Sequence, residues 1–549
     1  MAGQTQTNGR DLRNVIVASA AGTALEWYDF FLFGALATIL AKHFFANVPE
    51  TQAFILTLLT FAAGFFARPF GALVFGKIGD MHGRKGAFLT TISLMGVATL
   101  LIGFLPDYSQ VGLLAPAALV FLRMVQGFAL GGEYGGAAIY VAEHSAAHRR
   151  GFDTSWIQTS AAIGLTLALV VVLGLRTWMG EAAFADWGWR IPFIGSVLLL
   201  VVSLWIRMRL SESPVFQDLQ AQGRNSKRSL ADSFAEWSSL KLVLLALFGI
   251  MMAQGVVWYT GNFYTQFFLE KVLKVPGATV TGIMLTITFA SMFLYVFFGW
   301  LSDKVGRKPV MLGGMILMLV AYFPGFQMLT HFANPGLAEA MRANPITIAA
   351  NPDACSLQLD LTGGARKFTS ACDVAKSAVA SLGVSYQTAV VPQGAEVRLG
   401  SAVVTAPSLD GLSTDAAKAA RAAFEGELKA ALAAAGYPAG ADMARFNWWG
   451  VVGTMLIFIV AATALYGPQA ACLVELFPAR IRYTALSFPY HVGTGWFGGF
   501  QPAIGFAIVT AAGETYAGLW YPFVITAIAI VVDILFLPET RGRDVGDQG

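Results

Sequence analysis

Charge is what this sequence is short of. Asp, Glu, Lys and Arg make up 13% of its 549 residues and mean hydropathy is +0.61, against roughly 25% charged residues in soluble chains. That excludes a soluble globular composition. Cysteine is equally scarce: three residues are too few for a metal or redox framework. No Gly-x4-Gly-Lys-Ser/Thr run occurs, and the glycine cluster Gly131-Gly132-Glu133-Tyr134-Gly135-Gly136 lies inside an apolar stretch with no preceding strand. A phosphate cradle, and with it an ATP-driven pump, is unsupported. The net charge of +3 comes without a basic cluster, so no nucleic-acid partner is expected. The first thirteen residues are polar and the apolar run after them is far longer than a signal h-region, so no cleavable signal peptide is expected.

What fills the chain instead is a succession of apolar runs about twenty residues long, each enough to cross ~30 Å of hydrocarbon. Twelve spans are predicted, at 14–41, 53–75, 87–105, 112–143, 154–176, 190–209, 241–269, 278–300, 309–330, 447–474, 484–511 and 518–537. The expected fold class is an all-α polytopic membrane protein with twelve transmembrane helices in two six-helix bundles. The expected divisions are a tail (1–13), a first bundle (14–209), a linker (210–240), spans seven to nine (241–330), an inserted domain (331–446), spans ten to twelve (447–537) and a tail (538–549). Lys and Arg set the orientation. Twenty of them fall in the tails and loops on the side of the termini, and five (Lys42, Arg176, Arg190, Lys271, Lys274) in the short loops opposite. Both termini are therefore expected in the cytoplasm.

A charged turn supplies the internal ruler. Gly76-Lys77-Ile78-Gly79-Asp80-Met81-His82-Gly83-Arg84-Lys85 returns as Gly299-Trp300-Leu301-Ser302-Asp303-Lys304-Val305-Gly306-Arg307-Lys308, 223 residues later (299 − 76). Repetition at that distance points to two homologous halves. Glu143 and Glu475 end the fourth and tenth spans in the same way but lie 332 apart (475 − 143). The excess is matched by 331–446, which is polar, Ala- and Ser-rich and without a spanning run. It is expected to be a small α/β extracytoplasmic domain. Ser413 would cap a helix stopped at Gly436, with strands at 386–391 and 396–406. Its two cysteines, Cys355 and Cys372, would face an oxidising compartment, where a disulfide is possible.

The turn after the second and eighth spans resembles the signature of the major facilitator superfamily. Further stretches resemble one of its branches: Glu26-Trp27-Tyr28-Asp29-Phe30-Phe31, Gly64-Phe65-Phe66-Ala67-Arg68-Pro69-Phe70-Gly71, Arg123-Met124-Val125-Gln126-Gly127, Trp187-Gly188-Trp189-Arg190-Ile191-Pro192-Phe193, Glu475-Leu476-Phe477-Pro478-Ala479-Arg480-Ile481-Arg482 and Pro538-Glu539-Thr540. Together they resemble the metabolite:proton symporter family, which includes carriers for α-ketoglutarate, citrate, shikimate and proline/betaine. The resemblance covers all twelve spans but not 331–446, and His491 stands where the family more usually shows a neutral polar residue. It implies that the turns act as latches, through Gly76, Asp80, Gly83, Arg84, Asp303 and Arg307 with Glu143 and Glu475, and that Glu143 is a candidate partner of Arg84. The turn's chemistry agrees: its Asp can cap the positive N-terminal end of a neighbouring helix.

Ionisable residues inside spans are costly and usually functional. Glu26, Asp29, Arg68, Arg123 and Glu133 lie at overlapping depths and are expected to form one protonatable network, in which Asp29 and Glu26 lead as proton carriers and Glu133 follows. Trp258-Tyr259 mirror Trp27-Tyr28, and on that alignment Glu26 meets Val257 and Asp29 meets Thr260. Proton chemistry is thus concentrated in the first half. Tyr28, Gln126, Tyr134, Gln158, Trp258, Tyr259, Asn262, Gln266 and His491 are candidates for substrate contact near the midplane, each with an interhelical hydrogen bond as the plain alternative.

The expected function is proton-coupled symport of a small polar metabolite, an organic acid first, across a bacterial inner membrane. Its partners would be a small-molecule substrate, protons and the lipid bilayer, and a monomer would suffice. A proton-coupled exporter is the alternative. A sensor or enzyme with its active unit in 331–446 is weaker, because that stretch shows no nucleophile–base set. No cofactor, metal or catalytic residue is expected.

Overall fold

The computed structural model describes residues 9–47, 50–82, 84–208, 229–356 and 369–545. The linker expected at 210–240 is therefore described only from Ser229, and Gly83 and the Arg84 side chain lie outside the described residues.

Among the described residues, eight helices are each long and apolar enough to cross a membrane: Leu59–Met81, Leu114–His144, Ala147–Met179, Trp237–Val272, Gly277–Val305, Arg307–Ala333, Trp448–Leu476 and Ala517–Phe536. Two bent pairs, Ala20–Ala35 with Ala37–Phe44 and Glu181–Gly188 with Arg190–Trp205, turn through 60° and 63°. Two segments occupy the third and eleventh places. Arg84–Gly103 forms one helix, with Leu89–Gly103 as its described apolar stretch. The eleventh, Arg482–His491, Val492–Gly499 and Gln501–Ala512, carries Thr484, Ser487 and His491 and is broken in the middle. The all-α expectation holds, and the twelve predicted runs each coincide with helix.

Apolar side chains point both ways, as a bilayer demands. On the eighth span Phe289, Phe293 and Phe297, spaced i, i+4, i+8, form an exposed stripe. Ile283, Ile287 and Tyr295 on its other side are buried.

Two spans depart from plain α-helix where they meet. Leu247–Met251, Thr260–Tyr264 and Phe268–Val272 of the seventh are π-helical, as is Val492–Gly499 of the eleventh. Such bulges mark functional sites in many helices. Here they let the backbones touch: a Cβ on Gly255 would sit 2.4 Å from the Gly493 carbonyl oxygen.

The stretch between the ninth and tenth spans is an α/β unit. Strands β1 (Ile346–Ala350), β2 (Tyr386–Val390), β3 (Ala395–Leu399) and β4 (Ala402–Thr405) lie in the order β2-β1-β3-β4. β1 and β2 run parallel, while β3 pairs antiparallel with both β1 and β4. Helices Ala371–Ser381 and Thr414–Ala434 accompany them. The Ser413 side chain caps the second helix by accepting from Ala416 N, and Gly436 follows it at φ +84°. The single strand expected at 396–406 is two strands, because Gly400 turns the chain at φ +58°. β1 and the first helix were not foreseen. Cys355 and Cys372 are joined by a disulfide.

Candidate functional site

The two repeated turns and the C-terminal segment as far as Val545 share one face, called here the terminal face, and the inserted domain rises from the other. At the terminal face the repeated turns do one job twice. Asp80 accepts from Thr484 Oγ1 at 2.6 Å and Thr484 N at 3.3 Å, at the start of the eleventh span. Asp303 accepts from Gly151 N at 2.9 Å and Phe152 N at 2.7 Å, at the start of the fifth. Each carboxylate thus sits on the positive end of a helix from the opposite half. Gly299 permits the approach, since a Cβ there would lie 2.5 Å from Ser155 Cβ.

The crossed ion pairs repeat the symmetry. Glu143 accepts from Arg482 Nη1 at 3.0 Å, and Glu475 from Arg150 Nη1 at 2.8 Å. Glu475 also receives Arg307 through Nε and Nη2, both at 3.2 Å, while Arg307 Nη1 reaches Asp303 at 2.6 Å. Arg482 is thus a partner of Glu143 among the described residues, and the Arg84 side chain, its expected partner, lies outside them. The C-terminal segment is part of this latch, with Thr540 Oγ1 donating to Glu475 Oε2 at 3.0 Å and the Arg543 and Val545 carbonyls accepting from Arg150 and Arg482. The latch is closed.

Inward of the latch is a layer of tyrosines. Tyr134 and Tyr490 stack at 3.7 Å between ring centres, 6° from parallel. Tyr134 Oη accepts from Gln158 Nε2 at 2.5 Å and Gln469 Nε2 at 3.3 Å, and the Tyr466 and Tyr490 hydroxyls meet at 2.9 Å. Tyr134 and Tyr466, like Gln158 and Tyr490, are 332 positions apart (466 − 134, 490 − 158). The two hydrogen-bonded pairs are the same contact in each half, laid face to face across the pseudo-twofold.

Deeper still lie the arginines. Arg68 is fully buried, with its guanidinium 4.2 Å from the ring centres of Phe30 and Phe65 and 5.6 Å from Trp27. Arg68 Nε and Nη2, and both ring nitrogens of buried His491, have no hydrogen-bond partner among the described residues. Toward the insert face an aromatic plug closes the space between the halves: Phe31 stacks on Trp258 at 5.7 Å, and Phe61 and Phe65 meet Phe263 and Tyr259 at 5.5 and 5.2 Å.

Of the network expected from depth, two carboxylates share one side of the first span. Glu26 and Asp29, one turn apart, face away from Arg68 and line a cavity of about 10 Å³ with Ile92, Met95, Leu199 and Ser203 of the third and sixth spans. Such a volume is about one water. Trp27 and Phe30, each one position and so about 100° on, take the side toward Arg68. Thr99 Oγ1 donates to Met95 O at 3.0 Å and accepts from Gln126 Nε2 at 2.7 Å, and Gln126 Oε1 accepts from Arg123 Nη1 at 2.7 Å. Arg123 is fully buried, 4.4 Å from the ring centres of Phe30 and Phe33. Glu133 is buried at the break of the fourth span, before Tyr134–His144.

Several residues expected at the substrate are used otherwise. Tyr28 donates to the Pro192 carbonyl at 3.3 Å within the first half. Asn262 bonds back to Trp258 O at 2.9 Å, and Gln266 donates to Glu270 at 3.2 Å one turn on. Trp258 Nε1 donates to Tyr295 Oη at 2.8 Å, its ring remaining in the plug. Thr99, Gln469, Tyr466 and Tyr490 were missed. The 332-residue offset, applied to Tyr134 and Gln158, reaches the two tyrosines, but nothing in the sequence marks Thr99 among the apolar residues around it.

Residues 14–349, more than half of the chain, match the family model described as "Sugar (and other) transporter". The chain belongs to that family. Similar curated proteins include the proline/betaine transporter of Escherichia coli (strain K12), 37% identical over 327 residues that make up 57% of this chain and 64% of the relative. The shikimate transporter and the alpha-ketoglutarate permease of the same organism are each 34% identical, over 58% of this chain and 72% of theirs. The chain thus spans just under two thirds of the proline/betaine relative. Among solved structures, the major facilitator superfamily proton:xylose symporter XylE bound to 6-bromo-6-deoxy-D-glucose covers 98% of this chain and 99% of its own at 16% identity, with a TM-score of 0.63. The partially occluded inward open xylose transporter XylE from E. coli gives 0.60 at 15% identity. The fold is the major facilitator fold.

Proposed function

We propose that this protein is a proton-coupled symporter that takes up a small carboxylate-bearing metabolite by alternating access, with its terminal face in the cytoplasm as the Lys and Arg distribution directs. The observation that carries the reading is Arg68: a guanidinium buried between the two halves, with Nε and Nη2 uncommitted. An arginine fork binds a carboxylate through two parallel hydrogen bonds, and burying it without a partner is expensive. The tyrosine layer and the aromatic plug bound this site on its two sides. Bringing a substrate in or letting it out requires one of them to part.

Asp29 is the proton carrier in this reading. Its Oδ1 has no hydrogen-bond partner among the described residues, and Phe30, the next residue in the chain, belongs to the ring cages of both Arg68 and Arg123. Movement of the shared ring with substrate would shift the first span at the neighbouring Asp29 and so alter the affinity of Asp29 for its proton. The E. coli relatives named for proline/betaine, shikimate and alpha-ketoglutarate all handle carboxylates, which agrees with an arginine-centred site. Proteoliposomes under an imposed proton gradient, offered dicarboxylates, hydroxy-acids and betaines in turn, test it. Faster entry of at least one when the outside is acidified is expected, and no acceleration of any would sink the symport reading.

A further inference from the structure

The inserted domain is held to the second bundle at three places, each by backbone. Asn334, which ends the ninth span, caps the next helix by accepting from Leu337 N at 3.0 Å while its Nδ2 donates to Leu273 O at 3.1 Å, in the loop after the seventh span. Lys274 in that loop is the one positive-φ non-glycine among the described residues, at φ +56°, a conformation that persists where surrounding contacts over-determine it. Its carbonyl accepts from Ala441 N at 3.3 Å, on the way back to the tenth span. The third hold is on the loop between the eleventh and twelfth spans. Tyr386 N, at the start of β2, donates to Gly513 O at 2.7 Å. Ser385 Oγ accepts from Thr515 N at 2.9 Å and meets Thr515 Oγ1 at 2.6 Å.

Steric fit matches the bonding. Gly383, at φ +75°, turns the chain from the helix into β2 directly against the seventh span, where a Cβ would lie 2.9 Å from Val272 Cα. The Tyr386 ring covers Gly513, so that a Cβ there would fall 2.3 Å from Cζ. The disulfide ties Cys355 to Cys372, in the first turn of the helix whose far end makes this turn.

The first bundle has its own tie on this face. His43 approaches Asp107 Oδ2 through Nδ1 at 3.2 Å and the Ala185 carbonyl through Nε2 at 2.7 Å, and Arg190 Nη2 donates to Asp107 Oδ1 at 2.6 Å. That joins the ends of its first, third, fifth and sixth spans to one another.

We propose that the inserted domain is a clamp on the second bundle. It binds the insert-face ends of the seventh, ninth, tenth, eleventh and twelfth spans into one body, and it travels with them. Opening toward this face then takes place by the first bundle moving past that body, with Phe31–Trp258 and Phe61–Phe263 parting while Ser385 and Tyr386 stay on Gly513 and Thr515. The clamp rests on the docking contacts alone and stands whether or not the proposed substrate is right.

Hydrogen exchange of the full-length protein in detergent or nanodiscs tests it without any substrate. The double variant Ser385→Ala/Tyr386→Ala removes the side-chain part of the third hold, the Ser385 Oγ bonds and the ring over Gly513, and Gly383→Ala pushes the turn off Val272 while keeping every polar group. Both are expected to speed exchange at the amides of 271–274 and 513–516 by about tenfold or more, since local opening is set by local contacts. Exchange at 104–112 in the first bundle is expected to stay unchanged, as is protection of Ile346–Ala350, which reports that the domain remains folded. The control Arg398→Ala, at an exposed pair with Glu396 on the far side, should leave all four regions alone. Unchanged exchange at both docking loops in both variants overturns the clamp. Acceleration that spreads to 104–112 overturns its confinement to the second bundle.

Discussion

A guanidinium placed in the middle of a membrane bundle costs about 3 kcal/mol on insertion scales, and this chain places two there. Arg123 offsets the cost through Gln126 and its ring cage. Arg68 keeps two nitrogens uncommitted, which is sensible only for a group that receives a partner. Arg68→Lys retains the charge and loses the planar fork. It is expected to weaken substrate binding by roughly ten- to a hundredfold, about 1.4–2.8 kcal/mol, as read by binding to the purified protein, with little change in its melting temperature. Asp29→Asn keeps the hydrogen-bonding shape and removes the titratable group. Gradient-driven accumulation should disappear while exchange of labelled for unlabelled substrate persists, and retained accumulation would remove Asp29 from the proton path.

Among the elements, the second and fourth spans show how closely the helices are fitted. A Cβ on Gly127 would stand 1.7 Å from the Gly64 carbonyl oxygen, and one on Gly71 1.8 Å from that of Phe128. Small residues that let backbones touch are the usual means of joining helices in lipid. Gly127→Ala cannot be absorbed by a rotamer change, because the obstacle is backbone. A loss of about 3 kcal/mol or more is expected, seen as a lower unfolding temperature in detergent, whereas Gly174→Ala, with nothing within 4 Å of its Cβ, should be neutral or slightly stabilising. The repeat was legible at this scale because the charged turn is local and recurs intact. The π-helical stretches of the seventh and eleventh spans were not legible, because Gly255, Gly493 and Gly498 acquire meaning only from the helix each one faces. The same applies to Glu26 and Asp29. Their depth was readable from residue counts, but the side they face depends on rotation about the helix axis, which the third and sixth spans set.

On the scale of the whole molecule, the terminal face is closed by a latch in which Glu475 is the hub, holding Arg150, Arg307 and Thr540. Glu475→Gln removes its charge and leaves two buried guanidiniums short of their counter-ion, which is strongly destabilising for that arrangement. The expected outcome is a population open at the terminal face. Cys472, buried one turn away in the tenth span, should then react faster with a bulky thiol reagent applied from that face, and an unchanged labelling rate would show that the latch does not depend on Glu475. The sequence by itself determined the class of this protein, its helical runs, its two-half organisation and the existence of an inserted domain, since hydropathy, charge placement and repetition are properties of the chain in order. It also supplied the residue types of the site. Only the tertiary structure decided which of them meet, that Arg123 reaches Thr99 through Gln126, that Tyr134 lies on Tyr490, and that the inserted domain docks on the second bundle. Those contacts join residues hundreds of positions apart, and their geometry follows from how two bundles pack rather than from any local pattern.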